Sequence, residues 1–133
     1  FSHYPVGWGL QADVAVLDDM TADPEQAERI LTEAAPAVFR INWAAHVDPA
    51  DGRVITRTAM APEVSHLPLD ALQPLNEPHS VELPDGWLAG WPELLVAVAP
   101  FKQGTSLVLA RAGGPPFIKS EVARLRHLAA LAN

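Results

Sequence analysis

The spacing of apolar positions divides this chain into short elements of alternating type. Residues 1–12, Phe1 to Ala12, hold no sustained period and read as an irregular N-terminal arm with Tyr4 and Trp8 as anchors. Val14-Ala15-Val16-Leu17 is an apolar run of strand length, closed by Asp18-Asp19. Asp23 then offers a helix cap and Pro24 suits a first helical position. Ala27, Ile30, Leu31 and Ala34 recur at helical spacing, and Pro36 is expected to stop the helix. From Ala37 to Val47 the pattern alternates: Ala37, Phe39, Ile41, Trp43, Ala45 and Val47 are apolar, with Arg40, Asn42 and His46 between them. That predicts a strand with one buried face. Asp48-Pro-Ala-Asp-Gly52 is a turn and Arg53 to Met60 a return strand, so residues 37–60 form a predicted hairpin.

Residues 61–93 are broken by Pro62, Pro68, Pro74, Pro78, Pro84 and Pro92. Within them, Leu67 to Leu75 suits a helical turn, Val81 to Leu83 a short edge strand and Asp85-Gly86 a turn. Leu94 to Ala99 is apolar without alternation, as in a strand covered on both faces. Lys102-Gln103-Gly104 turns the chain into a return strand from Thr105 to Arg111. Gly113-Gly-Pro-Pro116 interrupts, and residues 117–133 read as a terminal helix. Ile118, Val122, Leu125, Leu128 and Leu131 or Ala132 line one stripe of it, with Lys119, Arg124 and Arg126 off that stripe. Two hairpins and two helices predict an α+β domain: an antiparallel sheet with flanking helices and a long C-terminal helix.

Composition narrows the chemistry. With 133 residues the chain suits one domain, residues 1–133, large enough to bury a core without staples. The formal net charge is −7 with only two lysines, which argues against direct nucleic-acid binding and against an anionic membrane surface. The run Leu94 to Phe101 is too short for membrane insertion. Absence of cysteine excludes disulfides, thiolate metal sites and cysteine nucleophiles, and fits a cytoplasmic location. The chain opens on Phe1 without an initiator Met or signal-like segment, so a piece of a larger or processed protein is expected.

The last forty residues resemble the end of a GAF domain. The matching pieces are Leu94-Leu-Val-Ala-Val-Ala-Pro-Phe101, Lys102-Gln-Gly104, Ser106-Leu-Val-Leu-Ala-Arg111, Gly113-Gly-Pro-Pro-Phe117 and Glu121-Val-Ala-Arg-Leu-Arg-His-Leu-Ala-Ala-Leu131. Upstream, the helix at 24–35, the strand at 37–47 and the Asp48–Gly52 turn are similar to the family's opening. Two departures stand out. The family usually places a capping Ser, Thr or Asp just after the Phe, whereas Ile118 and Lys119 stand here, with Ser120 the nearest cap, so the helix is expected to begin late. The region between the hairpins is short for the family, which implies a reduced ligand pocket or none. The resemblance implies a GAF/PAS-like fold and a sensory or regulatory module of a larger bacterial signalling or transcription protein. It implies signalling through the C-terminal helix to a homodimer partner or an output domain, with that helix continuing in the parent protein.

Candidate chemistry is sparse. His3, His46, His66, His79 and His127 have no metal-motif spacing, so no metal and no cofactor is expected, and His46 falls on the polar side of its strand beside a turn. Ser65, Ser80 and Ser106 lack a nucleophile elbow, and neither Gly7-Trp-Gly9 nor Gly113-Gly114 is a phosphate-cradling loop. Intrinsic enzymatic activity is not expected. Among known GAF chemistries, covalent bilin attachment and methionine-sulfoxide reduction both need a cysteine, and no asparagine begins the family's cyclic-nucleotide pattern. Candidate small-molecule contacts are therefore Trp87 and Trp91, which lie where the family's pocket lid would be, with Trp43, Arg57 and His79; Arg40 is a further cation for an anionic ligand. Against this stands a plain core role for the tryptophans. Val122, Leu125, Leu128 and Leu131 are the candidate dimer or output surface, where Ala129, Ala130 and Ala132 permit close helix approach. Two further readings compete: a PAS-like or profilin-like protein–protein interaction module without ligand, and a small enzyme using His and Asp residues.

Overall fold

The computed structural model describes residues 3–88 and 90–132, with side chains from residue 13 onward. The side chains of Tyr4 and Trp8, the expected anchors, lie outside that range. The chain opens with helix α1 (His3–Ala22), not with an irregular arm and a strand. Val16 and Met20, one turn apart, are buried against the rest of the core while Val14 is half exposed. A spacing of four is helical, and two members of the apolar run at 14–17, Val14 and Ala15, face solvent. Gly7 and Gly9 lower helix propensity and hid the element from local reading.

A 3-10 turn (Pro24–Gln26) leads into α2 (Ala27–Phe39), and Asp23 makes no side-chain cap bond. Pro36 does not stop this helix. A proline inside a helix costs roughly 3 kcal/mol, yet the chain continues for another turn because Val38 and Phe39 bury themselves there. Arg40 ends the helix in the left-handed region, φ 54°, and its N–H donates to the Pro36 carbonyl. The alternation seen from Ala37 onward is therefore partly helix end. The first strand, β1, is only Trp43–Val47, and both of its faces are buried.

Four more strands complete an antiparallel sheet: β2 (Val54–Arg57), β3 (His79–Leu83), β4 (Leu94–Pro100) and β5 (Ser106–Ala112). Their spatial order is β2-β1-β5-β4-β3. Both expected hairpins are present, β1 with β2 and β4 with β5. In the first turn Gly52 has φ 81°, and a Cβ there would overlap the Leu67 carbonyl oxygen, so only glycine fits. Residues 52 and 54 bond to Leu67 and Ser65, which covers the outer edge of β2.

Because β2 and β3 are opposite edges, residues 58–78 must cross the whole sheet, a width of roughly 19 Å at the usual strand spacing. They do so on one face, with a 3-10 turn at Asp70–Leu72, and residues 84–93 join them. We call this the loop face. The other, the helix face, carries α2 and the terminal helix α3 (Lys119–Leu131), with α1 packed outside α2. No described helix is long and apolar enough to cross a membrane.

α3 begins at Lys119, not at Ser120: the Ile118 N–H donates to Glu121 Oε1 at 3.1 Å, so the glutamate supplies the capping. Its buried stripe is Leu125, Leu128, Ala129 and Ala132, while Leu131 and Ile118 are exposed. Of the two residues expected to end the stripe, Ala132 is the buried one, while Ile118 at its start lies outside it.

Candidate functional site

Alternation along the strands decides what each face offers. Trp43, Ala45 and Val47 of β1 face the loops, as do Val108 and Ala110 of β5, Leu94, Val96 and Val98 of β4, and Leu83 of β3. Over them pack Ala61, Leu67, Leu72, Leu75 and Leu88, with Trp87 and Trp91 half buried at the margin. Trp43 is completely buried. Its ring meets Trp91 edge-on, with centroids 6.1 Å apart and planes at 63°. Such a contact is favourable for two indoles. Trp43 and Trp91 are thus brought together, and Trp87 belongs to the same cluster.

Polar groups on this face are few. Ser106 Oγ donates to the Leu75 carbonyl at 3.0 Å, fixing the crossing segment to the sheet. Trp43 Nε1 is buried and has no hydrogen-bond partner among the described residues. His79 pairs with Val98 on β4, so it shares this face. Its Nδ1 lies 2.9 Å from the Glu77 carbonyl, an oxygen that can only accept, so a neutral ring carries its proton there. His79 Nε2 is then a buried acceptor, and it too is unmatched among the described residues. By strand register His79 lies roughly 15 Å from Trp43 at the backbone. Arg57, opposite Ala45 on edge strand β2, is exposed, and Arg40 is exposed at the end of α2. The candidate ligand residues therefore share one face but do not converge, and no charged side chain is buried there among the described residues.

The helix face holds the charged groups, which sequence reading missed. Arg111 is buried; it donates to the carbonyls of Phe39 at 2.7 Å and Pro115 at 2.9 Å and to Glu121 at 2.8 Å, and it stacks on Phe117. Arg124 makes a two-pronged pair with Asp13 of α1, donates to the Val38 carbonyl and lies over Phe39. Asp13 and Glu121 hold Arg124 firmly charged against the opposing effect of burial. Two arginines thus bind α3 to β5, to the end of α2 and to α1. Position 111 was legible as the end of an apolar strand, but its alternation toward the helices was not.

His46 is not on a polar, exposed side: it is buried on the helix face. Its Nε2 lies 2.6 Å from Thr105 Oγ1 and 3.5 Å from Glu28 Oε1, and its ring meets Phe101 edge-on. Burial outweighs the nearby carboxylate and pushes His46 down to about 4; it also pushes Glu28 up. The imidazole is therefore neutral at neutral pH. Beside this pair a hollow of about 310 Å³ is lined by Pro24, Glu25, Glu28 and Gln103. A second groove, about 400 Å³, is lined by Leu17, Met20, Thr21, Pro24, Ala27 and the exposed Leu131.

Of the candidate dimer or output residues, Leu125 and Leu128 are consumed by the chain's own core. Val122 is half buried, and only Leu131 is exposed.

No protein-family model matches the sequence, and no curated protein matches it. A solved structure does match in three dimensions: the GAF domain of a protein described as a sensor histidine kinase from Pseudomonas syringae pv. tomato. The TM-score is 0.58 at 16% identity, covering 98% of this chain and 86% of that one. With the strand order, the helices on one face and the terminal helix, this shows that the chain has a GAF-like α+β fold.

Proposed function

We propose that this chain is a non-catalytic sensory or regulatory domain. It takes a small molecule on the loop face and reports occupancy through α3 to a second copy or to an output domain, in the cytoplasm. The similar solved structure, a GAF domain of a protein described as a sensor histidine kinase, supports this class of role. The observation that carries it is Arg111. This residue sits on β5 between Ala110 and Ala112, whose side chains face the loops, while its own guanidinium grips Glu121 at the start of α3. A displacement of β5 caused from the loop face is thereby passed to the helix across the sheet. The signal is a population shift between two packings, with no bond chemistry. Leu131, with the groove beside it, supplies apolar surface for the partner.

Amide hydrogen exchange during a metabolite screen, monitored first by tryptophan fluorescence, tests this reading. An active compound is expected to slow exchange both in residues 84–99 and in the first turns of α3. Compounds that protect the loop face and leave α3 unchanged would remove the signalling half of the proposal. A screen in which no compound alters the tryptophans would remove the sensing half.

A further inference from the structure

The two edges of the sheet end differently. The outer side of β2 is closed by the bonds from Val54 to Ser65 and from Leu67 to Gly52. β3 is the opposite edge, and among the described residues no backbone bond reaches His79–Leu83 except from β4. In an antiparallel ladder alternate residues turn both N–H and C=O to the same side, so β3 presents a row of such groups outward. Native edges are commonly guarded by lysine, by a bulge or by a covering segment. Here the charge is acidic. Residues 58–101 hold six Asp and Glu and no Lys or Arg, although the chain has nine basic residues. Four of the six surround this edge: Glu82 on the strand, Glu77 just before it, Asp85 just after it and Glu93 just before β4, all exposed. The two sides of β3 also differ. Ser80 and Glu82 are exposed toward the helix face, while His79 and Val81 are half buried toward the loop face, where Val81 packs on the apolar floor.

We infer that the free edge of β3 takes an extended basic peptide as a sixth strand, one in which lysine or arginine alternates with apolar residues. Main-chain bonds supply the attachment, and the alternation supplies the selectivity. A cation beside Glu82 gains an opposite-charge cross-strand pair, and an apolar neighbour extends the cover of Val81. Pro78 and Pro84 flank the strand and confine the ladder to five residues, roughly 17 Å, so a short segment suffices. A second copy of this chain fits worse. Antiparallel pairing of two β3 strands about Val81 would set Glu77 against Asp85 twice, since each stands four residues from Val81. Like charges directly opposite one another are destabilising. This surface is distinct from the loop-face sensing reading and does not depend on a small molecule binding there.

The peptide acetyl-Lys-Val-Lys-Val-Lys-Val-amide and its Glu-Val counterpart test this on the whole chain. In ¹⁵N spectra the basic peptide is expected to shift the amides of residues 79–83 and to slow hydrogen exchange at alternate ones. The acidic peptide is expected to bind about tenfold more weakly. Glu82→Lys, a change at an exposed position, is expected to weaken binding of the basic peptide about fivefold. A form of the basic peptide N-methylated throughout keeps its charges and side chains but loses its main-chain donors, and its binding should fall by about tenfold or more. Equal binding of the methylated form would show attraction by charge without strand pairing and would overturn the proposal. So would shifts that spare residues 79–83, no binding at millimolar peptide, or a Glu82→Lys variant that binds the basic peptide as well as before. Exchange at alternate β3 amides that slows with rising protein concentration and no peptide would name a second copy as the occupant and overturn it equally.

Discussion

The two faces of one sheet are covered by different means. On the helix face, regular elements are fastened by charge: Arg111 reaches two carbonyls and Glu121, and Arg124 reaches Asp13 and Val38. On the loop face, an irregular chain lies over an apolar floor with Ser106 as a side-chain tie and two polar atoms unmatched. Directional charged contacts are unforgiving, since removing one partner leaves the rest exposed to the full cost of burial. Apolar cover is non-directional and can be exchanged for another apolar body. The contrast therefore divides labour: the helix face holds its geometry, and the loop face can trade contacts. That is the arrangement a domain needs if one side is to be occupied and the other is to report it.

Arg111→Met is the harshest test of this division. It keeps the length and apolar stem but strips Glu121 and two carbonyls of their donor. A loss of about 3–5 kcal/mol is expected in urea unfolding, because a buried pair is broken from one side. A loss below about 1 kcal/mol would show that α3 is held by Leu125 and Leu128 alone, and the coupling across β5 would fall with it.

How much of this was written in local sequence differs between the same two regions. The hairpins were legible because period two and glycine turns are local signals, as at Asp48–Gly52 and Lys102–Gly104. α1 was not, since two glycines depress its propensity and tertiary packing of Val16 and Met20 decides it. Pro36 misled for the same reason: burial of Val38 and Phe39 overrides a local rule. The loop-face tryptophans were visible as an aromatic group near a lid, but that Trp43 N–H lacks an acceptor depends on contacts from residues far along the chain. The Arg111–Phe39 bond spans 72 positions and has no sequence period at all.

Acid should separate the faces next. His46, held near 4 instead of 6.5, is neutral in the folded chain, while the unfolded chain takes up a proton below about 6.5. Stability is therefore full above that pH and declines as the pH falls toward 4, by at most ~3 kcal/mol. Glu28 works the other way: its raised value means the folded chain holds a proton that the unfolded chain has released, which adds stability on acidification. The net decline should be smaller than His46 alone would give. Comparing wild type with His46→Gln between pH 7 and 4 isolates it. A flatter profile in the variant is expected, and parallel profiles would show that His46 titrates alike in the folded and unfolded chain.

The mildest change addresses the loop face at the Ser106 tie. Ser106→Ala removes the donor to the Leu75 carbonyl, a neutral bond worth about 1 kcal/mol. Global stability should fall by no more than that, because Leu72 and Leu75 remain buried against Val98 and Val108. The local effect should be larger than the global one: exchange of amides around residues 69–75 should quicken while α2 and α3 keep their protection. An isolated neutral bond lost from a charge-bound face would be shared out among its neighbours. One lost from an apolar cover is felt where it stood. If exchange instead quickens equally in the loops and in α3, the two faces open as one unit, and the division of labour argued from their different fastenings does not hold.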